Sequence, residues 1–286
     1  MSSLGPLIDG TSIPRFLYGT AWKEDRTAAL TEMAIRQGFR GIDTANQRKH
    51  YDEAAVGRGI AASIKAGLVD RSDLFLQTKF TFQAGQDHRL PYDPSAPIPQ
   101  QVEQSCISSL GHLDTTYLDS FVLHGPSVRN GLAADDFQAW RAMESLHDRG
   151  FVRMLGVSNV TSQQLELLCD QARVLPGFVQ NRCYASTGWD RIIRLQCAKF
   201  GVFYQGFSLL TANRAVLASE AMAEISRHHN RTPEQIVFRY AIETGMIPLT
   251  GTTDMGHMAA DLSVLDFGLS ETEVSMIDRI GLRSGE

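Results

Sequence analysis

The sequence predicts an α/β fold, a single (β/α)8 TIM barrel with an N-terminal β-hairpin that spans residues 1–286. Short apolar runs alternate eight times with segments of helical spacing, and 286 residues is close to the roughly 250 that such a barrel needs. Neither GxGxxG after the first strand nor GxxxxGK[ST] occurs, which disfavours an open dinucleotide-binding sheet and a P-loop.

The hairpin is predicted at the start of the chain. Asp9-Gly10 stands between two short apolar runs within residues 6–14. This dipeptide between two such runs is the strongest short-range hairpin signal.

Eight later runs are predicted to form the barrel. They are Phe16–Gly19, Gly41–Thr44, Leu74–Lys79, Leu118–His124, Met154–Ser158, Gly177–Gln180, Val202–Phe207 and Met246–Thr250. Between them, apolar residues recur at helical spacing, as in Val56, Ile60 and Ile64.

Start and stop signals delimit several of the helices. Thr161, Thr232 and Ser270 are predicted N-caps, the last opening a helix from Glu271 to Ile280. Glycine is predicted to end four helices, at Gly38, Gly150, Gly201 and Gly245.

Composition excludes several classes of protein. The net charge is −5, from 27 Lys plus Arg and 32 Asp plus Glu, which argues against a nucleic-acid binder. The mean hydropathy is −0.16, and neither a membrane-spanning run nor a secretory leader is evident, so we expect a cytoplasmic protein that does not bind membranes.

Metal binding is not expected from the sequence. The four cysteines, Cys106, Cys169, Cys183 and Cys197, lack zinc-knuckle and CxxC spacing and are predicted to be buried free thiols. His228-His229 lacks both HExxH spacing and carboxylate residues nearby in the sequence.

Polar or ring-bearing residues close seven of the predicted strands, at the barrel end where catalytic sites lie. They are Asp43, Lys79, His124, Ser158-Asn159, Gln180-Asn181, Phe207-Ser208 and Thr250-Gly251. Any one could be a helix cap, a snorkelling lysine or a hydrogen-bonded core histidine. Three successive strands that end in Asp, Lys and His nevertheless indicate a catalytic cluster, because isolated buried charges are costly.

The chemistry of this cluster suits carbonyl reduction. Tyr51 lies on the loop after the second strand, and a close ammonium from Lys79 is expected to lower its phenol pKa from near 10. Asp43 would hold Lys79 charged, and His124 can donate a hydrogen bond to a carbonyl oxygen. The set could protonate a developing alkoxide while another group delivers hydride.

Nine short motifs resemble the aldo-keto reductase superfamily in order and spacing over nearly the whole chain. They are Gly19-Thr-Ala-Trp22, Gly41-Ile-Asp-Thr-Ala45, Glu53-Ala-Ala-Val-Gly57, Gln77-Thr-Lys79, Leu123-His-Gly-Pro126, Gly156-Val-Ser-Asn159, Val179-Gln-Asn181, Gly206-Phe-Ser-Leu209 and Ile247-Pro-Leu-Thr-Gly251. The resemblance implies NAD(P)H-dependent reduction of an aldehyde or ketone by a tetrad of Asp43, Tyr51, Lys79 and His124.

The resemblance also implies the residues that bind each ligand. NADP(H), with NAD(H) as the alternative, would contact Thr20, Ala21, Asp43, Ser158, Asn159, Gln180, Asn181, Phe207, Ser208, Leu209, Thr250, Gly251, His257 and Asp261. A small-molecule carbonyl substrate would contact Trp22, Tyr51, Phe80, Phe82 and His124, with Trp189 a further candidate.

The loop that carries the acid departs from the family pattern. The family places its Tyr five residues after the Asp, where this chain has Arg48; Tyr51 is eight residues away, which implies a small insertion. His50 therefore competes for the acid role. Tyr51 is preferred because only a phenol gives the pair of Lys79 and Asp43 a pKa-tuning role.

Three further departures concern the ligands. Leu249 and His257 occupy places where the family offers Lys and Arg to a 2′-phosphate, which weakens the case for NADPH over NADH. Gly125 replaces a frequent Trp and should enlarge the pocket. The chain continues only briefly beyond Ile280, so the resemblance implies a more open site than in relatives with a longer C-terminal loop.

Two other functions remain open. One is a non-catalytic member of the superfamily that senses cofactor or presents a partner surface. The other is a lyase in which Lys79 forms a Schiff base. A monomer is the default expectation, because no apolar stripe indicates an interface.

Overall fold

The computed structural model describes residues 4–8 and 11–283, and its centre is a closed parallel barrel. The strands are β1 (Leu4–Ile8), β2 (Thr11–Pro14), β3 (Leu17–Gly19), β4 (Gly41–Asp43), β5 (Phe75–Phe80), β6 (Leu118–Leu123), β7 (Val152–Ser158), β8 (Phe178–Arg182), β9 (Phe203–Phe207) and β10 (Met246–Thr250). The barrel order is β10-β3-β4-β5-β6-β7-β8-β9, so the predicted (β/α)8 fold is confirmed.

One or more helices follow each barrel strand in the chain. They are α1 (Thr27–Gln37), α2 (Glu53–Lys65), α3 (Ile98–Leu113), α4 (Ala134–Asp148), α5 (Ser162–Gln171), α6 (Arg191–Phe200), α7 (Arg214–Leu217), α8 (Glu220–His229), α9 (Pro233–Glu243), α10 (Met255–Leu262) and α11 (Glu271–Arg283). Helix α11 continues three residues beyond the predicted end at Ile280.

The predicted helix signals act as expected. Thr161 and Thr232 accept hydrogen bonds from backbone N–H groups in the first turns of α5 and α9. Ser270 and Glu273 form a reciprocal capping box before α11. The four predicted stop glycines all have φ between +70° and +110°, a region that costs other residues strain.

Two strand boundaries differ from the prediction by two residues because inter-strand pairing extends them, and the other barrel boundaries differ by at most one residue. Strand β7 begins at Val152, which pairs with Leu118, and β8 ends at Arg182, which pairs with Phe207. Backbone pairing does not require apolar side chains, so the apolar pattern missed both ends.

The N-terminal hairpin is confirmed, since β1 pairs antiparallel with β2. Its predicted turn, Asp9-Gly10, lies outside the described residues. Ile13 of β2 packs with Leu17, Phe75, Phe178 and Ile247 in a cluster that fills the lower barrel. This apolar cluster fills one end of the barrel interior, and the polar side chains lie at the other end, where the strands have their C-termini.

The four cysteines are buried and form no disulfide, as predicted. Among the described residues, no helix has both the length and the apolar character that a membrane span requires.

Candidate active site

Asp43 and Lys79 form an ion pair inside the barrel mouth. Lys79 Nζ lies 2.7 Å from Asp43 Oδ1 and donates a second hydrogen bond to the Thr44 carbonyl at 2.8 Å. Both charged residues are buried, with 3% of Asp43 and 0% of Lys79 exposed. Burial lowers the pKa of Lys79, and the Asp43 carboxylate opposes that shift.

A layer of glutamine amides contacts the Asp43 carboxylate. Gln77 Nε2 and Gln180 Nε2 donate to Asp43 Oδ1 at 2.8 and 3.0 Å, and both also donate to Gln205 Oε1. Gln205 Nε2 donates back to Gln77 Oε1 at 3.0 Å. These amide hydrogen bonds hold the Asp43 carboxylate in place beside the Lys79 ammonium.

Tyr51 lies beside this ion pair. Lys79 Nζ is 5.5 Å from the centre of the Tyr51 ring, and the ring centres of Tyr51 and His124 are 6.1 Å apart. Burial and the Asp43 carboxylate both raise the pKa of Tyr51 above its usual value of 10. The expected lowering by Lys79 is therefore wrong for the protein alone, because Asp43 already neutralises the ammonium and burial disfavours the phenolate.

His124 is held by two polar neighbours. Thr81 Oγ1 lies 2.6 Å from His124 Nδ1, and Asn159 Nδ2 donates to the His124 carbonyl at 2.8 Å. Burial, Lys79 and His50 lower the pKa of His124 to about 3. The imidazole is therefore neutral near pH 7 and can present one N–H donor.

His50 lies further out in the mouth. Its ring packs against Trp22 at 4.0 Å between ring centres, and its carbonyl accepts a hydrogen bond from the Trp22 N–H. Trp22 is 69% exposed. Of the two candidate acids, Tyr51 is therefore the one that adjoins the Lys79 ammonium, and His50 pairs with an aromatic side chain at the rim.

A cavity of about 530 Å³ opens beside His124. Among the residues that line it are Gln47, His50, Thr81, Phe82, His124 and Gly125. Phe82 and His124, two residues that the resemblance implied for the substrate site, line it, and so does Gly125, where the resemblance implied extra room.

The predicted nicotinamide side lies at the ends of β7 and β8. Ser158 Oγ donates to the Gln180 carbonyl at 2.6 Å, and Asn159, with φ +56°, turns its amide toward Ser158 and His124. The Asn181 side chain accepts a hydrogen bond from the Val160 N–H at 3.1 Å and donates one to the Val160 carbonyl at 2.8 Å. These contacts bring Ser158 and Asn159 next to the tetrad.

The predicted phosphate side lies where β3 and β10 end. Thr250 is buried and Gly251 is exposed, and the Lys23 ammonium donates to the Gly251 carbonyl. Burial and Arg26 lower the pKa of Lys23. Within residues 4–8 and 11–283, Lys23 has no carboxylate partner.

The rest of this side is formed by α10 and the end of β9. His257 lies exposed in the first turn of α10, where Asp254 caps its N–H at 2.9 Å. Burial raises the pKa of Asp261 to about 6, and the Thr250 hydroxyl opposes the shift. Ser208 has φ +56°, and Phe207 lies with its ring 5.9 Å from the Arg182 guanidinium.

Four expectations are corrected by burial. Phe80 is 0% exposed and packs on Phe82 and Tyr92. Neighbouring residues of a strand point to opposite sides, so Phe80 points away from the barrel interior that Lys79 enters and cannot line the substrate site. Trp189 is likewise 0% exposed and packs on Tyr240.

Thr20 and Leu209 are corrected for the same reason. Thr20 has no exposed surface, and its N–H and hydroxyl both donate to the Asp43 carbonyl at 3.0 Å. It fixes β3 against β4 and does not offer its side chain to a cofactor. Leu209 is 1% exposed, so its side chain belongs to the core.

Sequence reasoning missed Thr81, Lys23 and the partners of Gln180 in the amide layer. Thr81 lies two residues beyond Lys79, and the period-two alternation of a strand was the one signal that could have placed it on the same side. Nothing in the sequence distinguishes the buried Lys23 from a surface lysine.

Comparisons with known proteins agree with the fold. The sequence profile described as Aldo/keto reductase family matches residues 16–281. The chain is 27% identical to an uncharacterized oxidoreductase of Bacillus subtilis, over 96% of this chain and 91% of that protein. It is also 27% identical to the NAD(P)H-dependent D-xylose reductase of Pachysolen tannophilus, over 96% and 92% of the two chains.

Solved structures show the same fold. An aldo/keto reductase from Brucella melitensis superposes with a TM-score of 0.82 at 26% identity, covering 98% of this chain and all of that one. An aldo-keto reductase of Bombyx mori, solved in complex with NADP, superposes with a TM-score of 0.83 at 24% identity, covering 98% and 93%.

Proposed function

Because the chain belongs to the Aldo/keto reductase family, we propose that it reduces a small aldehyde or ketone to an alcohol with NADPH, or less favourably NADH, as hydride donor. The observation that carries the proposal is the convergence of Tyr51 and His124 on the buried pair of Asp43 and Lys79. We propose that the whole chain acts as one barrel domain and as a monomer.

The residues present fit a dinucleotide phosphate. Lys23 is a nearly buried ammonium without a carboxylate partner among the described residues, and Arg26 lies close enough to lower its pKa. A buried cation is costly unless an anion compensates it, so this end of the mouth favours a phosphate. Lys23 thus supplies a positive charge near Thr250 and Gly251, which supports dinucleotide binding, and the preference for NADPH over NADH follows from the family.

The nicotinamide side would be held by Ser158 and Asn159, with Asn181 and Gln180 beside them and Phe207 against the ring. When bound, the cofactor supplies a hydride to the carbonyl carbon of the substrate. The D-xylose reductase to which the chain is similar is named for NAD(P)H dependence, which agrees with this assignment.

Tyr51 is the general acid in this proposal. Its raised pKa keeps the phenol protonated at neutral pH, so that it holds the proton that the alkoxide oxygen needs. Lys79 and Asp43 were expected to lower the pKa of Tyr51, and we propose a different role for them. Their neutral pair leaves Tyr51 protonated in the protein alone, and the ammonium 5.5 Å from the ring centre favours the phenolate once the proton has left.

His124 orients the carbonyl, and Thr81 sets its tautomer. Among the described residues the Thr81 hydroxyl has His124 Nδ1 as its one partner, and we assign the hydroxyl as the donor to that nitrogen. Nε2 then carries the hydrogen of the neutral ring. This tautomer directs an N–H donor to the substrate oxygen.

The two alternative functions receive less support. A Schiff-base lyase needs a neutral and accessible amine, whereas Lys79 is 0% exposed and donates to Asp43 and Thr44. A non-catalytic sensor would not need Tyr51, Lys79 and His124 to converge beside an open cavity.

The test is a parallel titration with NADPH and NADH followed by Trp fluorescence, then turnover of an aromatic aldehyde panel. We expect NADPH to bind about tenfold more tightly, the equivalent of about 1.4 kcal/mol, with turnover of at least one aldehyde. Equal affinities would overturn the NADPH preference alone. Failure of both cofactors to bind would overturn the proposed function.

A further inference from the structure

A group of three metal-ligating side chains lies outside the barrel mouth, between α8 and α11. His228 and His229 are in the last turn of α8, and Glu273 is in the first turn of α11. His228 Nδ1 and His229 Nε2 both lie 2.8 Å from Glu273 Oε1. All three atoms are within 4.8 Å of one another.

Two of the three side chains are held in place by their surroundings. Glu273 Oε2 accepts hydrogen bonds at 2.8 Å from both the N–H and the hydroxyl of Ser270, which turns Oε1 toward the histidines. The His229 ring packs on Phe267 with 5.4 Å between ring centres. The His228 side chain is 72% exposed and can adjust its ring.

We propose that His228, His229 and Glu273 bind a divalent transition-metal ion of the Zn²⁺ class. Two imidazole nitrogens and one carboxylate oxygen are the donor set of many three-ligand zinc sites, which leave a fourth position to solvent. Calcium and magnesium prefer sets of oxygen ligands, so neither fits. With metal–ligand distances of about 2.0–2.2 Å, tetrahedral donors are about 3.4 Å apart. Each of the two nitrogens lies 2.8 Å from Oε1 and all three atoms lie within 4.8 Å of one another, so each distance needs to change by less than about 1.5 Å.

Binding requires that the two imidazole nitrogens that face Glu273 carry no hydrogen. His228 would move its hydrogen from Nδ1 to Nε2, and His229 from Nε2 to Nδ1, so that the nitrogens facing Glu273 become free to ligate. The metal then replaces the two imidazole hydrogen bonds to the carboxylate. No oxidation or covalent step is involved.

The site would stabilise the protein by joining α8 to α11. None of its three residues lines the mouth cavity, so occupancy should leave carbonyl reduction unchanged. A ligand that binds only the folded state raises the melting temperature. The sequence predicted no metal site here because Glu273 is 44 positions from His229, so no carboxylate lies near the two histidines in the sequence.

The experiment uses the untagged full chain, freed of metal with a chelator, and zinc chloride alone as the probe in isothermal titration calorimetry. His229→Gln and Glu273→Gln each remove one ligand. The glutamine introduced by Glu273→Gln can still complete the capping box with Ser270, and circular dichroism checks that each variant folds. His147→Gln is the matched control, because His147 has one carboxylate neighbour, Asp148, at 3.7 Å.

The proposal predicts one zinc ion per chain, bound with micromolar affinity, and a higher melting temperature with zinc. Each ligand variant should bind zinc at least about tenfold more weakly, and the control should bind as the wild type does. The four buried cysteines should not compete. Stoichiometric binding that survives both ligand variants, or no binding to the wild type, would overturn the proposal.

Discussion

Replacement of Thr81 by Val tests how His124 is positioned. Val has the shape of Thr without the hydroxyl, so it removes the 2.6 Å hydrogen bond to His124 Nδ1. Thr81 is 6% exposed, so the hydrogen bond is largely buried. Loss of one partner in a buried hydrogen bond costs about 1–3 kcal/mol.

That cost should fall on catalysis. If the transition state loses this much stabilisation, kcat/KM falls about 5- to 150-fold, since each 1.36 kcal/mol is a factor of ten. Thr81→Ser keeps the hydroxyl and should retain most of the activity. Neither variant should change the Kd of NADPH, because Thr81 is assigned no contact with cofactor.

The assay follows NADPH absorbance during reduction of an aromatic aldehyde. Nitrogen-15 NMR of the histidine rings supplies a second measurement, since the Nε2–H tautomer of His124 should dominate in the wild type and in Thr81→Ser. The reasoning is refuted if Thr81→Val keeps kcat/KM within about twofold of the wild type, or if Thr81→Ser is as impaired as Thr81→Val.

Three further predictions concern cofactor binding and stability. Lys23→Met should weaken NADPH binding by about tenfold or more in a fluorescence titration, because a charge-assisted hydrogen bond is worth about 1.5–3 kcal/mol; an unchanged Kd would exclude Lys23 from the phosphate site. Gly57→Ala would place a Cβ 2.0 Å from the His112 carbonyl oxygen where α2 meets α3, so urea unfolding should show a loss of about 1–3 kcal/mol, and a loss near zero would contradict this packing. The raised pKa of Asp261, about 6 against 3.8, means that its contribution to stability is lost as pH rises from 3.8 to about 6. The difference in melting temperature, Asp261→Asn minus wild type, should therefore be larger at pH 8 than at pH 4. The same difference at both pH values would count against the raised pKa.

The barrel could be predicted because its strands are buried on both sides and appear as apolar runs. Asp43, Lys79 and His124 were found because each follows such a run, and the fold requires strand ends to meet at one mouth. Phe80 was misplaced because apolar runs do not show which residues face the barrel interior.

Electrostatics and contacts distant in sequence could not be predicted. The direction of the Tyr51 pKa shift follows first from burial of the phenol and then from the nearby Asp43 carboxylate, and neither can be read from the sequence. The carboxylate beside His228 and His229 comes from another helix. In both cases the property depends on the surroundings in the folded protein and not on the neighbouring residues in the sequence.

The central claim is that Tyr51, and not His50, donates the proton in carbonyl reduction. The most direct measurement compares kcat for one aldehyde, at saturating NADPH, among wild type, Tyr51→Phe and His50→Gln. The account predicts that Tyr51→Phe loses about 10²- to 10⁴-fold in kcat with unchanged NADPH binding, whereas His50→Gln stays within about tenfold of the wild type. A Tyr51→Phe enzyme with near wild-type kcat, or an inactive His50→Gln beside it, would contradict the account.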